Sequence, residues 1–350
     1  MQNFRLAENY EISRVIRGGW QMAGGHGAAV DNEVAIADMM AFADAGITTF
    51  DCADIYTGVE ELIGRFRTVY KRLRGLKALD RIRVHTKYVP DLAILGQITK
   101  ADVTSVIDQS LRRLQTERID LVQFHWWDYS EPKWLETAHW LDDLRKAGKI
   151  ENIGGTNFDT EHVLAMAADG VPLISMQVQY SLLDNRPART MIPAVAERGI
   201  SLLCYGTVAG GFLSDRWLGV PEPGEPLENR SLVKYKLIID DLGGWDLFQA
   251  LLASLRDIAD RHGTDIATVA SAAVLARPGV AGVIVGARNR SHLPANLAIS
   301  NLALTPGDMA QVDGVLAGAR PLAGDVYALE RDRNGSHGSI MKYNLNKETA

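Results

Sequence analysis

IDLVQFH, residues 119–125, is an apolar run of strand length that ends on a histidine. A strand of that kind wants apolar side chains, so a polar group at its exit needs a reason. Working outward, the pattern recurs: GITTFD (46–51) ends on Asp51, RIRVHTK (81–87) ends on Lys87, and Tyr56 follows five residues after Asp51. In a parallel α/β barrel all strand C-termini open on one face, so side chains far apart in sequence meet around one reacting atom.

The same kind of run appears near 13–18, 47–51, 82–87, 119–124, 150–154, 173–178, 200–204 and 281–285. Stretches of helical period separate them. Asp31 is placed to cap a helix through Ala45 that stops at Gly46, and Lys100–Leu114 and Ala188–Arg198 carry apolar residues three and four apart. Eight strands alternating with helices predict a (β/α)8 TIM barrel. An open doubly wound sheet competes, but Gly18-Gly19 and Ala23-Gly24-Gly25-His26-Gly27 lack the Gly-x-Gly-x-x-Gly spacing of its dinucleotide fingerprint and read as a turn. About forty residues, with Pro221, Pro223 and Pro226, lie between the seventh strand and a helix starting near Trp245, which is long for a connection and predicts a functional loop. A further helix is expected from Thr305 to Ala319, then a polar tail over 331–350. One barrel domain over 1–350 is the expectation.

Apolar residues make up 47% of the chain and charged ones 23%, the balance of an ordinary globular protein. A formal net charge of -6 argues against nucleic acid and anionic membrane as partners, since both recruit basic faces. MQNFRLAENYEISR lacks the layout of a signal peptide, and Ala270–Ala287 is interrupted by Arg277 and Pro278. Cys52 and Cys204 sit in or beside strands and read as buried reduced thiols. A cytoplasmic location is expected, and neither composition nor motif specifies an oligomeric state.

The four polar residues Asp51, Tyr56, Lys87 and His125 suit one chemistry. A tyrosine donates a proton sluggishly near neutral pH until a cation stabilises its phenolate. Lys87 can be that cation, and Asp51 can keep it charged in a partly buried site. His125 is expected to offer an N–H to a carbonyl oxygen. Nothing among the four supplies electrons, which implies a nicotinamide cofactor. Taken singly, Lys87 beside Asp51 also fits a structural ion pair, and His125 a core histidine. A metal-dependent hydrolase is the other barrel chemistry, but no His-x-His stands on an early strand, so no metal is expected.

FDCADIYTGVEELIG (50–64), VHTKYVPD (84–91) and IDLVQFHWWD (119–128) resemble the catalytic segments of the aldo-keto reductase superfamily. IGGTNF from 153, QVQYSLLD from 177, LLCYGTVAGGFLSD from 202 and VIVGARNRSHLPANL from 283 extend the likeness over about Gly18–Asn301. The resemblance implies Tyr56 as general acid, Lys87 as modifier of its pKa, Asp51 as partner of that lysine, and His125 as the group orienting the carbonyl. It implies further that Thr156, Asn157 and Gln177 hold the nicotinamide carboxamide and that Tyr205 stacks on the ring. Gly206, Thr207, Val208, Ala209 and Gly210 would wrap the pyrophosphate, with the long segment after them as a lid. Gly286, Ala287, Arg288, His292 and Asn296 would meet the adenosine end, and Trp20 would border the cofactor.

Trp20, Trp126 and Trp127 would wall a pocket for a small carbonyl or alcohol. Gly206 replaces a usual Ser, His292 a common Arg or Gln, and Ala295 a common Glu. Arg288 and Arg290 favour NADP(H), with NAD(H) the alternative. A relative that keeps fold and cofactor mainly to serve another protein is the second functional reading.

Overall fold

The computed structural model describes residues 1–23, 31–224, 226–287 and 289–346. Eight parallel strands close into a barrel: β3 (Val15–Gly18), β4 (Thr49–Asp51), β5 (Arg83–Tyr88), β6 (Ile119–Phe124), β7 (Ile150–Thr156), β8 (Leu173–Gln179), β9 (Ser201–Tyr205) and β10 (Val280–Gly286). They run in chain order around the ring, and β10 pairs with β3 to shut it. Every strand falls on an expected run. Strands covered on both faces read as continuous apolar segments, the easiest strand signal to see.

Ahead of the barrel stands a hairpin that the sequence reading missed, β1 (Asn3–Ala7) against β2 (Tyr10–Ser13). Leu6, Tyr10 and Ile12 pack with Ile16, Leu121, Leu203 and Ala281 and stopper the barrel at the end where its strands begin. From there the Tyr10 hydroxyl reaches the buried His85 Nε2 at 3.1 Å.

Helices cover the outside. Asp31 caps Asn32–Asp44 by accepting from the Glu33 and Val34 amides, and Thr99 and Asp102 form a capping box on Lys100–Arg113. The helix expected over Ala188–Arg198 is broken into Arg186–Arg189, Met191–Val195 and a turn at Ala196–Arg198. Pro193 explains the break, because it has no N–H to donate and its ring crowds the carbonyl four residues back.

The long segment after β9 is only partly a loop. Asn229 caps a helix at Arg230–Leu242, whose Leu232, Tyr235, Ile238 and Ile239 join Phe212, Trp217, Trp245 and Phe248 in a second apolar cluster. The C-terminal helix runs Pro306–Leu316, capped by Thr305. No helix among the described residues is long and apolar enough to cross a membrane.

Candidate active site

Asp51, Lys87 and His125 stand at the ends of β4, β5 and β6, and Tyr56 follows in the loop after β4. The fold brings all four to one mouth. Lys87 Nζ donates to Asp51 Oδ2 at 2.7 Å and to the Cys52 carbonyl at 2.8 Å, and lies 5.0 Å from the centre of the Tyr56 ring. Both members of this pair are buried. The other Asp51 oxygen accepts from Gln123 Nε2 at 2.9 Å and from Gln177 Nε2 at 2.7 Å, so the carboxylate is fully engaged. Burial alone would strip Lys87 of its proton, but the Asp51 charge more than offsets it and holds the ammonium well above its ordinary pKa.

For Tyr56 the balance differs from the sequence expectation. Burial pushes the phenol up and the Lys87 charge and hydrogen bond pull it down, and the net direction is upward from 10.0. The phenol is therefore a full proton donor at neutral pH.

His125 also departs from expectation. Its Nδ1 lies 3.0 Å from the Thr156 carbonyl, and a carbonyl can only accept, so Nδ1 carries the proton. Burial first, and the Arg331 charge second, push the imidazole down from 6.5 to about 3. A neutral ring with its hydrogen on Nδ1 presents a lone pair at Nε2. That atom is buried and has no hydrogen-bond partner among the described residues. The donor expected there is spent on Thr156. We expect the His125 ring resonances to show one neutral tautomer from pH 5 to 9, with no inflection near 6.5. A titration in that range by NMR would contradict the assignment.

Trp20 packs edge-on against Tyr56 at 5.0 Å and is 37% exposed, so it borders the opening. Trp127 stands edge-on to His125 at 4.2 Å, its indole N–H held by the Pro90 carbonyl. Trp126 does not belong to the wall. Side chains alternate along an extended chain, so Gln123 and His125 face inward while Phe124 and Trp126 face the helices. Trp126 is fully buried there, on Phe124, with its N–H donated to the Asp128 and Glu131 carbonyls.

Two aromatic residues missed in the sequence complete the wall. Tyr327 presents its ring edge-on to His125 at 5.8 Å, and Tyr343 meets Trp127 at 5.2 Å. Both come from the C-terminal segment, which carries no spacing pattern to announce them. That segment reaches the β5 exit as well: the Leu92 amide donates to the Tyr343 carbonyl, and Asn346 Nδ2 to the Val89 carbonyl.

Of the residues expected along a dinucleotide, Thr156, Gln177, Tyr205 and Gly286 stand at the ends of the neighbouring strands β7, β8, β9 and β10. The Tyr205 hydroxyl donates to Asn157 Oδ1 at 2.9 Å, and Gln177 is shared between Asp51 and Gln123. The Thr207 hydroxyl is turned to Ser271 in the core, leaving the backbone of Gly206, Val208, Ala209 and Gly210 as the groups a phosphate could meet. At the β10 exit, Gly286 and His292 are exposed, Ala287 is buried, and Asn296 is buried with its Nδ2 unpartnered among the described residues. Arg288 lies outside the described residues, as does the expected turn around Gly24–Gly27. Arg290 lies 3.9 Å from Asp38. Buried atoms at His125, Asn296 and Gln21 that have no partner among the described residues, with a glycine-rich bend between, fit a long polar ligand.

Backbone strain gathers around these strand exits. Asn157, Ala209 and Tyr327 have positive φ, three of the four such non-glycine residues among those described. Gly206 has φ +74, and a Cβ there would come within 2.2 Å of the Tyr235 hydroxyl. Gly206→Ala is expected to cost about 1–2 kcal/mol from backbone strain. It should weaken dinucleotide binding, read by fluorescence titration and thermal unfolding, with Tyr235→Phe relieving only the steric part.

Among the described residues no group of three or more His, Cys, Asp or Glu side chains is arranged to hold a metal ion. The model of the aldo/keto reductase family matches residues 14–317. "Aldo-keto reductase YhdN" of Bacillus subtilis is 28% identical over 321 residues, 87% of this chain and 90% of that protein. The "NADH-specific methylglyoxal reductase" of Escherichia coli is 24% identical, covering 85% of this chain and 92% of its own. Among solved structures, the glycerol dehydrogenase AKR11B4 from Gluconobacter oxydans superposes with a TM-score of 0.76 at 23% identity over 92% of this chain and 97% of that one, a likeness of fold. With a match to the family across most of its length and the family's barrel around these four residues, the chain belongs to the aldo/keto reductases, oxidoreductases of carbonyl compounds and alcohols.

Proposed function

We propose that this protein reduces an aldehyde or ketone to an alcohol, or runs the reverse oxidation, with NADPH as its preferred dinucleotide. The observation that carries this reading is the Tyr56 phenol set beside a lysine that Asp51 keeps charged, at a barrel mouth that also holds a buried His125 nitrogen with no partner among the described residues.

When bound, the nicotinamide supplies the electron pair as hydride. Thr156, Asn157 and Gln177 would hold its carboxamide and Tyr205 its ring, with residues 206–213 at the pyrophosphate. Gly286, Ala287, Arg288, His292 and Asn296 would take the adenosine end. Arg288 and Arg290 supply positive charge suited to a 2′-phosphate.

The chain's own residues handle the proton. Tyr56 Oη–H donates to the substrate carbonyl oxygen and gives its proton as charge develops there, leaving a phenolate beside Lys87. Asp51, held by Gln123 and Gln177, keeps the ammonium in place. The His125 lone pair accepts from the hydroxyl once formed, or from the hydroxyl of an incoming alcohol, and so orients the alcohol rather than polarising the carbonyl. Trp20, Trp127, Tyr327 and Tyr343 keep water from the reacting carbon and suit a flat or apolar body.

The test is direct. Purified protein should consume NADPH with a reactive test aldehyde and bind NADPH more tightly than NADH in parallel fluorescence titrations. No turnover with any carbonyl or alcohol, despite tight dinucleotide binding, would sink the catalytic reading. Tighter NADH binding would overturn the cofactor choice.

A further inference from the structure

We propose that Arg331 is a positioning residue for this reaction: one guanidinium ties the exits of β6 and β7 together beside His125 and makes the site conditional on a docked C-terminal segment. The proposal rests on the reading just given.

Arg331 Nη1 donates to the carbonyls of Trp126 at 2.6 Å and Trp127 at 2.8 Å, and Nη2 to the Asn157 carbonyl and the Tyr129 hydroxyl at 2.7 Å each. Its planar head lies 3.9 Å over the Tyr129 ring. The contacts follow a pattern. His125 precedes Trp126, and Thr156 precedes Asn157, so the two strand exits are joined once by His125 Nδ1–H to the Thr156 carbonyl and again, one residue on, by Arg331. The second tie fixes the first. It also holds Asn157 in its left-handed conformation, φ 60, with its side chain turned to Tyr205.

Arg331 forms no ion pair among the described residues, and its acceptors are neutral oxygens, so salt-bridge stability does not account for a guanidinium here. A cation beside His125 opposes protonation of the ring and keeps the Nε2 lone pair available. Lys87 on β5 adds to that effect, while Trp127 and Tyr327 pack on the ring as neutral groups.

The C-terminal segment reaches further. Glu330, next to Arg331, is fully buried between Arg186 at 3.2 Å and Lys234 at 3.6 Å, which links the segment to the β8 exit and to helix Arg230–Leu242. Docking of residues 327–331 therefore sets His125, Asn157 and the insertion after β9 together.

The experiment compares full-length Arg331→Met and Arg331→Lys with the parent chain by steady-state kinetics, NADPH titration and His125 NMR titration. In Arg331→Met, kcat should fall about 100-fold, the order of loss expected for misplacement near 1 Å, with a smaller change in substrate KM. Its His125 pKa should rise toward 6.5, and added methylguanidinium should restore part of kcat in a saturable way. Arg331→Lys keeps the charge but cannot span the acceptors, so it should lose kcat while His125 stays neutral. The proposal is overturned if folded Arg331→Met keeps parental kcat. It also falls if kcat is lost with no change in His125 titration and no rescue, which marks a merely structural contact. The His125 titration is read without turnover, so a wrong assignment of the reaction shows as an inactive parent enzyme whose variants still differ by NMR.

Discussion

Replacing Tyr56 with Phe should lower kcat/KM for carbonyl reduction by about 10²–10⁴-fold, the usual worth of a positioned proton donor, while NADPH affinity stays essentially at the parental value. The substitution removes one hydroxyl and keeps the ring that packs against Trp20, so the pocket retains its shape. Its pH behaviour gives a second reading. Burial outweighs Lys87 and leaves the phenol above 10.0, so the donor stays protonated throughout the neutral range. Reduction should be flat from pH 6 to 9 and decline only as pH passes the raised pKa. Alcohol oxidation, which needs the phenolate, should climb over the same range. Full activity in the Phe variant, or a reduction rate already falling near pH 7, would remove Tyr56 from the proposed role.

Lys87→Met should abolish turnover and also destabilise the fold by about 3–5 kcal/mol, because Asp51 would be left buried without its cation. Loss of both activity and stability does not by itself separate a catalytic lysine from a structural one. The double variant Asp51→Asn with Lys87→Met does. It removes the charge along with its partner, and an asparagine can still bond to Gln123 and Gln177. Stability should return to within about 1–2 kcal/mol of the parent, since a matched neutral replacement of a buried pair is often nearly neutral. Turnover should not return, because no cation remains to stabilise the phenolate. Recovery of both would mean that Lys87 serves the fold alone.

The barrel was legible because its strands are buried on both faces and end on residues that a buried strand does not choose for packing. The hairpin Asn3–Ser13 was not, since short strands in a polar stretch give little contrast. Helix Arg230–Leu242 was hidden behind a proline-rich approach, and its apolar face has meaning only against Phe212 and Trp245. Of the candidate site, the residues at strand ends could be found by position alone. Trp126 shows the limit of that signal: adjacent tryptophans look like one wall in sequence, but the chain turns them to opposite sides. His125 could be found but its polarity could not, because the proton's place depends on a carbonyl 31 residues away. Tyr327, Arg331 and Tyr343 reach the mouth from the far end of the chain, a contact that no local pattern encodes.

The carboxylate of Glu330 serves two parts of the chain at once. It is buried between Arg186 and Lys234, while its neighbours Tyr327 and Leu329 pack against the two apolar clusters. Taking away one partner of a buried charged group leaves the other uncompensated, a loss larger than the intact contact contributes. The C-terminal segment and helix Arg230–Leu242 thus share one carboxylate, and whatever displaces it leaves Lys234 without an acidic partner among the described residues.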